Sequence, residues 1–500
     1  MTEPAPARFN LARYCLAEQA RAHPDRIAVT IVGDAGETSW TYGALDRDVR
    51  ALAAGLRGLG LPPGARVMIR MGNEAGAVLS YFAAIAAGYV ALLASAQLTE
   101  EEAGFLLADC GAGALVLGRE FEGEAHVGAF AVLRGDDLTR LLAHDPIDYA
   151  DTGADDPAYL VYTSGTTSRP KGVLHAHRAA WGRRPMYAHW QGLGPSDVVL
   201  HAGAMNWTYT LGVGVVDPLA NGATALLYNG RPDPSAWPRL IERHRATIFA
   251  AVPGVYRQIL KYAALASHDL RSLRHGLTAG AALSPSLLEE WRARVGTELY
   301  EAFGMSEIST FVSSGPTTPV RPGSPGRPQP GRRVAVLPRD GGTEPLGVGE
   351  TGVLAVRRGE PGLMLRYWNR PDEERLSFRG DWFVSGDLVE IDAESYVWHH
   401  GRADEVMNAL GYRVSPAEVE KCLAAHPLVA EAAVAERPGR DDQTIIKAYV
   451  VARDGETLSE EAILAHCAQH LAAYKRPRVV VFLEALPRNR NGKLLRAALP

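Results

Sequence analysis

A hydroxyl-rich loop between two apolar runs constrains the fold of this chain more than any other feature. The run YLVYT at residues 159–163 leads into the loop, and the apolar run GVL resumes at residue 172. Its candidate phosphate ligands are Thr163, Ser164, Gly165, Thr166, Thr167 and Lys171. A glycine lets the backbone approach a ligand, consecutive N–H groups and hydroxyls form a concave anion site, and a lysine adds positive charge. The stretch therefore predicts a strand that leads into a phosphate-binding loop, in preference to a flexible linker.

The loop is not a P-loop of the Walker type. That motif ends in Gly-Lys followed by Ser or Thr, whereas here Pro170 precedes Lys171 and Gly172 follows it. The pattern resembles the signature loop of the adenylate-forming superfamily, which includes acyl-CoA synthetases, peptide-synthetase adenylation domains and luciferases. The resemblance extends over roughly residues 10–497 and is carried by five motifs in order.

Composition excludes several classes of protein. A chain of 500 residues with 47% hydrophobic and 22% charged residues is globular and large enough for more than one domain. The net charge of −5 gives no general affinity for nucleic acid or for an anionic membrane. The most apolar window, residues 81–96, is shorter than a membrane span, and the N-terminus shows no signal peptide. We therefore expect a cytoplasmic protein with no nucleic-acid partner and no membrane insertion.

Short apolar strands alternate with amphipathic helices, which predicts an α/β fold. We expect a large N-terminal domain of layered, mostly parallel sheets with helices, over residues 1–403. Residues 404–500 read as a small α+β domain with three strands and a helix at 458–474, and the resemblance implies that this domain is mobile. The sequence SPAE at residues 415–418 predicts a helix start with a capping box.

The stretch LYEAFGMSEIST, residues 299–310, resembles the second adenylate motif of the superfamily. The resemblance implies that Ala302 and Phe303 meet adenine, and that Ser306 takes the position of a conserved hydroxyl. It also implies that Glu307, together with Thr166, holds Mg²⁺ through oxygen atoms. Read without the other motifs, Glu307 is an ordinary carboxylate at a helix start.

Three further motifs occupy the C-terminal part of the chain. The resemblance implies that Asp387 in GDWFVSGDLVEID accepts hydrogen bonds from the ribose hydroxyls and that Arg402 donates to ribose or phosphate. The resemblance also implies that the hinge and the coenzyme A tunnel are formed by Asp404, Gly411, Tyr412 and Arg413. Lys493, in a basic turn near the C-terminus, resembles the lysine that bridges the carboxylate and the α-phosphate during adenylation.

The acid pocket is expected at Trp207, Val252, Gly280, Ala281 and Gly304. Acetyl-CoA synthetase has a tryptophan at the position of Gly304, so we interpret this glycine as an opening that admits an acid larger than propionate. The segment AMNWTYTL contains no acidic residue to pair with a substrate ammonium, which disfavours amino acids. Trp207 is otherwise a core aromatic residue.

These motifs imply an AMP-forming carboxylate–CoA ligase that uses ATP, Mg²⁺ and CoA on a small-molecule carboxylic acid. Two alternatives stay open: a stand-alone adenylation enzyme that loads a carrier protein, and a non-catalytic nucleotide-binding relative. The sequence does not name the acid, which can be medium-chain, branched or aromatic, and it leaves a homodimer open. His175 and His177 alternate as on a strand but have no third metal ligand at a recognisable spacing.

Overall fold

The computed structural model describes residues 3–34, 36–126, 128, 130–163, 170–231, 233–403, 407–409, 412–438, 444–453, 458–471, 473–489, 492 and 494–500. For residues 408, 409, 412, 413, 444 and 474 it describes the backbone only. The chain forms two compact units, one of Met1–Arg333 with Arg357–Phe378 and one of Val334–Val356 with Arg379–Pro500.

The first unit contains a sheet that has nine strands within the described residues. Numbered along the chain and given in spatial order, they are β15 (Arg327–Pro328), β14 (Ser309–Ser313), β13 (Glu298–Met305), β12 (His275–Ala279), β11 (Ile248–Ala251), β9 (Val198–His201), β10 (Thr224–Asn229), β1 (Ile27–Gly33) and β2 (Gly36–Thr41). The pairs between β13 and β1 are parallel, and β2, β14 and β15 are antiparallel to their neighbours. Parallel neighbours require crossovers, which here carry helices.

The second sheet of this unit has seven described strands. They are β18 (Arg366–Tyr367), β8 (Lys171–Ala176), β7 (Pro157–Thr163), β4 (Val90–Ala94), β3 (Arg66–Arg70), β5 (Ala114–Leu117) and β6 (Ala131–Leu133). β7 pairs antiparallel with β8 in a register that sets Thr163 opposite Lys171, and β18 lies antiparallel on the far side of β8. This confirms the strand predicted to lead into the hydroxyl-rich loop, and the apolar run after the loop is a strand as well.

Helices connect and cover these strands. The α-helices of the first unit are α1 (Leu11–Ala22), α2 (Tyr42–Arg57), α3 (Ala75–Ala86), α4 (Glu100–Cys110), α5 (Gly135–Leu141), α6 (Arg184–Met186), α7 (Thr208–Leu211), α8 (Asp217–Ala220), α9 (Ala236–His244), α10 (Pro253–Tyr262), α11 (Pro285–Val295) and α12 (Pro371–Leu376). Short 3₁₀ turns lie at Arg119–Phe121, His177–Ala179, Trp181–Arg183 and Leu265–Ser267, and π-helical turns at Tyr187–Gln191 and Gly212–Val216.

The apolar window at residues 81–96 is the end of α3 followed by β4. Every residue of α3 from Ala77 to Ala86 is buried, and so is all of β4, because both lie inside the protein core. Within the described residues, no helix combines the length and the apolar character that crossing a membrane requires.

The second unit carries three smaller sheets in its described part. One holds β16 (Val334–Leu337), β17 (Gly352–Arg357), β20 (Trp382–Ile391) and β19 (Phe378–Arg379), with β21 (Val397–Arg402) paired to β20. The others are the pair β22 (Met407–Ala409) and β23 (Tyr412–Val414), and the sheet β24 (Val429–Pro438), β25 (Thr444–Ala452) and β26 (Val479–Phe482). Its helices are α13 (Pro416–Ala424) and α14 (Glu460–His470), and 3₁₀ turns lie at Ala473–Lys475 and Arg496–Ala498.

The predicted α/β fold with mostly parallel sheets and a small C-terminal α+β part is confirmed. The second unit also takes in the sheet of β16, β17 and β19–β21, so it begins earlier in the chain than residue 404. The domain boundary between residues 403 and 404 stays a prediction, because a division by contacts does not locate a hinge. The predicted capping box is wrong: α13 does start at Pro416, but the Ser415 hydroxyl donates to the carbonyl of His400 instead of capping the helix.

Candidate active site

Lys171 lies at the start of β8, where the hydroxyl-rich loop ends. Its ammonium is 3.5 Å from Glu373 Oε2 and 4.2 Å from the centroid of the Tyr367 ring. Both partners come from β18 and α12, which the antiparallel pairing of β18 with β8 brings to this lysine. Thr163 is paired opposite Lys171, whereas Ser164, Gly165, Thr166 and Thr167 lie outside the described residues.

Tyr367 joins Lys171 to the candidate metal carboxylate. Its hydroxyl donates to Glu307 Oε1 at 2.6 Å, and burial together with the Glu307 charge raises the pKa of this tyrosine. The Glu307 backbone carbonyl accepts from the amide of Met364 at 2.7 Å. Sequence reasoning missed Tyr367, whose only signal is its position in a short strand beside the phosphate-loop hairpin.

Glu307 is suited to hold a divalent cation. Its Oε2 accepts no hydrogen bond from the described residues, so one carboxylate oxygen is left for a ligand while the other is fixed by Tyr367. A carboxylate oxygen is the ligand type that Mg²⁺ prefers. The other residue predicted to share this ion, Thr166, lies outside the described residues.

The turn that carries Ser306 and Glu307 is fixed by a buried histidine. His175 Nε2 donates to the Ser306 carbonyl at 2.8 Å, and the ring stacks on Tyr159 with centroids 4.7 Å apart. Burial lowers the pKa of His175 to about 4, so the ring is neutral and carries its proton on Nε2. His175 is thus a structural contact of the turn, which its sequence position did not indicate.

Ala302 and Phe303 reach the same site on β13. Ala302 is buried, and Phe303 is half-buried with its ring packed edge-on against Phe311 at 5.8 Å between centroids. β13 pairs with β14 through an irregularity between Phe303 and Gly304. The adenine contact assigned to this pair stays a prediction.

Gly304 faces the backbone of β14. A Cβ built at Gly304 lies 2.2 Å from the Ser309 carbonyl oxygen and 2.5 Å from Thr310 Cα, which no real side chain tolerates. The argument that the missing side chain opens the acid pocket is therefore wrong, because the space is filled by the neighbouring strand. Whether Gly304 contacts the acid stays a prediction.

Three of the predicted pocket residues, Trp207, Val252 and Gly280, lie next to one another. A Cβ at Gly280 lies 2.8 Å from the Trp207 ring and 3.9 Å from Val252, and the φ of Gly280 is +87°, a conformation that favours glycine. Trp207 also packs edge-on against Tyr209, at 5.3 Å between centroids. Ala281 follows Gly280 in an exposed loop.

In the second unit, Asp387 and Arg402 face each other across the pair of β20 and β21. Asp387 is buried, and its carboxylate lies 3.8 Å from Arg402 Nη1 and 3.1 Å from His399 Nε2. Arg402 also donates to the Ser385 carbonyl at 3.2 Å. The sequence analysis singled out Asp387 and Arg402, whereas His399 was found only in the structure.

The remaining predicted residues are not visible in side-chain detail. Asp404, Gly411 and Lys493 lie outside the described residues, and Tyr412 and Arg413 are described only as backbone of β23. Their roles at the hinge, the coenzyme A tunnel and the adenylation step stay predictions.

Known proteins resemble this chain over nearly its whole length. The family model of the AMP-binding enzymes matches residues 16–368, and that of the AMP-binding enzyme C-terminal domain matches residues 418–493. The chain is 32% identical to the benzoate–CoA ligase of Thauera aromatica over 99% of this chain and 96% of that protein. It is 30% identical to the uncharacterized acyl–CoA ligase YtcI of Bacillus subtilis (strain 168), over 99% and 96%. The solved structure of the anthranilate CoA ligase AuaEII with anthranoyl-AMP superposes with a TM-score of 0.88 at 28% identity, over 98% of this chain and 96% of that one.

Proposed function

The chain belongs to the AMP-binding enzyme family and is an AMP-forming carboxylate–CoA ligase, and from that premise we propose that its acid is a compact aromatic carboxylate. In the first half-reaction the carboxylate attacks the α-phosphate of ATP and pyrophosphate leaves. In the second, the CoA thiol attacks the acyl-adenylate and AMP leaves.

The residues of the first unit divide the work of adenylation. Lys171 exchanges its 3.5 Å contact with Glu373 for the phosphates, since the contact of a partly exposed pair is weak. Glu307 offers its free oxygen to Mg²⁺, which, when bound, offsets the charge of the phosphates. Tyr367 holds that carboxylate in place from the opposite side.

The acid class rests chiefly on one observation, the packing of Trp207 on Gly280. The Trp207 ring lies against Gly280 and makes an edge-on contact with Tyr209, and Val252 lies beside the same glycine. Such a flat, rigid and apolar wall suits a planar ring, because stacked or edge-on aromatic contacts add about 0.5–1.5 kcal/mol to the burial of area. The relatives named for benzoate and anthranilate support the same class.

Charge near this wall argues against amino acids and dicarboxylates. Arg183 lines one pocket together with Thr208, the residue after Trp207, and it is already neutralised by Asp217, whose carboxylate accepts two hydrogen bonds from it at 2.6 Å. A second substrate charge would therefore be buried without a partner, which is costly.

A panel of acids tests the proposal, with pyrophosphate release measured with and without CoA. We expect turnover with benzoate-sized acids, CoA-dependent release of AMP, and at least about tenfold lower kcat/KM for acetate and for glutamate. Acid-dependent pyrophosphate exchange without CoA consumption indicates the alternative, an enzyme that loads a carrier protein. Equal kcat/KM for glutamate and an apolar acid of the same length would contradict the apolar pocket.

A further inference from the structure

A buried ion pair lies directly behind the turn that carries Glu307. The side chains of Arg183 and Asp217 are 7% and 0% exposed, and Arg183 Nε and Nη2 each donate to one oxygen of Asp217 at 2.6 Å. Gln191 donates to the same carboxylate at 2.6 Å. Burial works to lower the pKa of Arg183, but the charge and hydrogen bonds of Asp217 outweigh it and raise the pKa, so the guanidinium stays charged.

The third nitrogen of Arg183 points to the turn. Arg183 Nη1 donates to the hydroxyl of Ser309, which is two residues after Glu307. Ser309 has a φ of +72°, the left-handed conformation that a residue other than glycine rarely adopts. Such a conformation persists only where its surroundings hold it, and the Arg183 contact is one of them.

The local backbone is shaped to admit this pair. A Cβ at Gly212 lies 2.2 Å from Arg183 Nη2, so the guanidinium lies against bare backbone. Gly212 begins one π-helical turn and Gln191 ends the other, and both turns therefore contribute to the network. π-Helical turns are rare and are often found at functional sites.

We propose that the Arg183–Asp217 pair is a positioning device for Glu307, which it serves by holding Ser309 in its left-handed conformation. The inference rests on the proposed role of Glu307 as the Mg²⁺ ligand. Arg183 holds the turn from behind, as His175 holds Ser306 and Tyr367 holds the carboxylate itself. With all three contacts, the carboxylate is oriented before the nucleotide arrives.

The test separates positioning from stability. Arg183→Met alone leaves the buried Asp217 charge without its cation, with only the Gln191 amide as a donor among the partners described above, and should lower the unfolding temperature strongly. Arg183→Met with Asp217→Leu removes both charges and should restore the unfolding temperature. Ser309→Gly removes the hydroxyl and keeps the backbone conformation accessible. The matched control is Arg70→Met with Glu124→Leu, a bidentate pair of a buried arginine and a partly buried glutamate that has no contact with the 306–309 turn among the described residues.

Binding is measured by calorimetry with ATP in Mg²⁺ and with ATP in EDTA. We expect wild type and the control to bind Mg·ATP more tightly than metal-free ATP. The double Arg183/Asp217 variant should bind Mg·ATP no more tightly than metal-free ATP while it keeps the wild-type unfolding temperature. In Ser309→Gly, Mg²⁺ should raise the affinity for ATP less than in wild type. In pyrophosphate exchange, the double variant should show about 10²-fold lower kcat/KM for Mg·ATP and an unchanged KM for the acid.

Other results overturn the inference. If Mg²⁺ raises the ATP affinity of the double variant as much as that of wild type, and the exchange rate is also unchanged, the pair is only structural. If the defect is confined to the KM of the acid, Arg183 is a wall of the acid pocket. The inference is also refuted if wild type binds Mg·ATP no more tightly than metal-free ATP. Wild type could bind Mg·ATP more tightly than metal-free ATP and yet show no pyrophosphate exchange with any acid of the panel. In that case the proposed function fails while the positioning role stands.

Discussion

Gly304→Ala distinguishes a glycine required by backbone packing from a glycine that leaves a pocket open. The added methyl group would lie 2.2 Å from the Ser309 carbonyl oxygen, 2.5 Å from Thr310 Cα and 2.7 Å from the Ser309 carbonyl carbon. Ordinary contacts between such atoms are about 3.5 Å, so β14 must move by roughly 1 Å.

Both stability and catalysis should suffer. Overpacking of this kind costs about 1–3 kcal/mol of unfolding free energy. Because Ser309 follows Glu307 in the same turn, a shift of about 1 Å there should also reduce the rate of adenylation by about 10²-fold, for all acids alike.

The measurement combines thermal unfolding with pyrophosphate exchange for acetate and for benzoate. Gly104→Ala is the matched control, since Gly104 lies in α4 and a Cβ there meets nothing within 4 Å. The control should be slightly stabilised and fully active, because alanine favours a helix over glycine. A Gly304→Ala variant with wild-type stability and a preference shifted towards acetate would refute the packing argument and restore the open-pocket interpretation.

Trp207→Ala should raise the KM of benzoate-sized acids by about tenfold or more and leave that of Mg·ATP unchanged; equal effects on both would mean that Trp207 is only a core residue. Burial lowers the pKa of His175 to about 4 and that of His201 to about 3, below the ordinary value of 6.5. Between pH 6.5 and 4 the unfolded chain therefore binds more protons than the folded one, and the free energy of unfolding should fall as the pH drops through this range. His201→Gln should flatten that fall in chemical unfolding, and an unchanged pH dependence would contradict the burial argument. Lys493→Ala should abolish pyrophosphate exchange but spare thioester formation from synthetic acyl-adenylate, and Gly411→Leu should do the reverse. Equal loss of both half-reactions in both variants would refute the expectation that the mobile small domain takes a different orientation for each half-reaction.

The sequence by itself determined the local elements. The apolar runs on both sides of the hydroxyl-rich loop became β7 and β8, and the Ala-rich window became α3 and β4, because periodicity and chain punctuation act over a few residues. Asp387 and Arg402 could each be singled out from their motifs, and the structure pairs them across β20 and β21.

Only the tertiary structure decided which distant residues meet. Tyr367 reaches Lys171 and Glu307 because β18 pairs with β8, and Arg183 reaches Ser309 beside Gly212, whose missing side chain leaves room for the guanidinium. A sequence shows that Gly304 lacks a side chain, but not that the carbonyl of Ser309 occupies the space where one would be. Such contacts depend on strand order and on the irregular pairing of β13 with β14, which are set by the packing of the whole unit and not by the residues next to them in the chain.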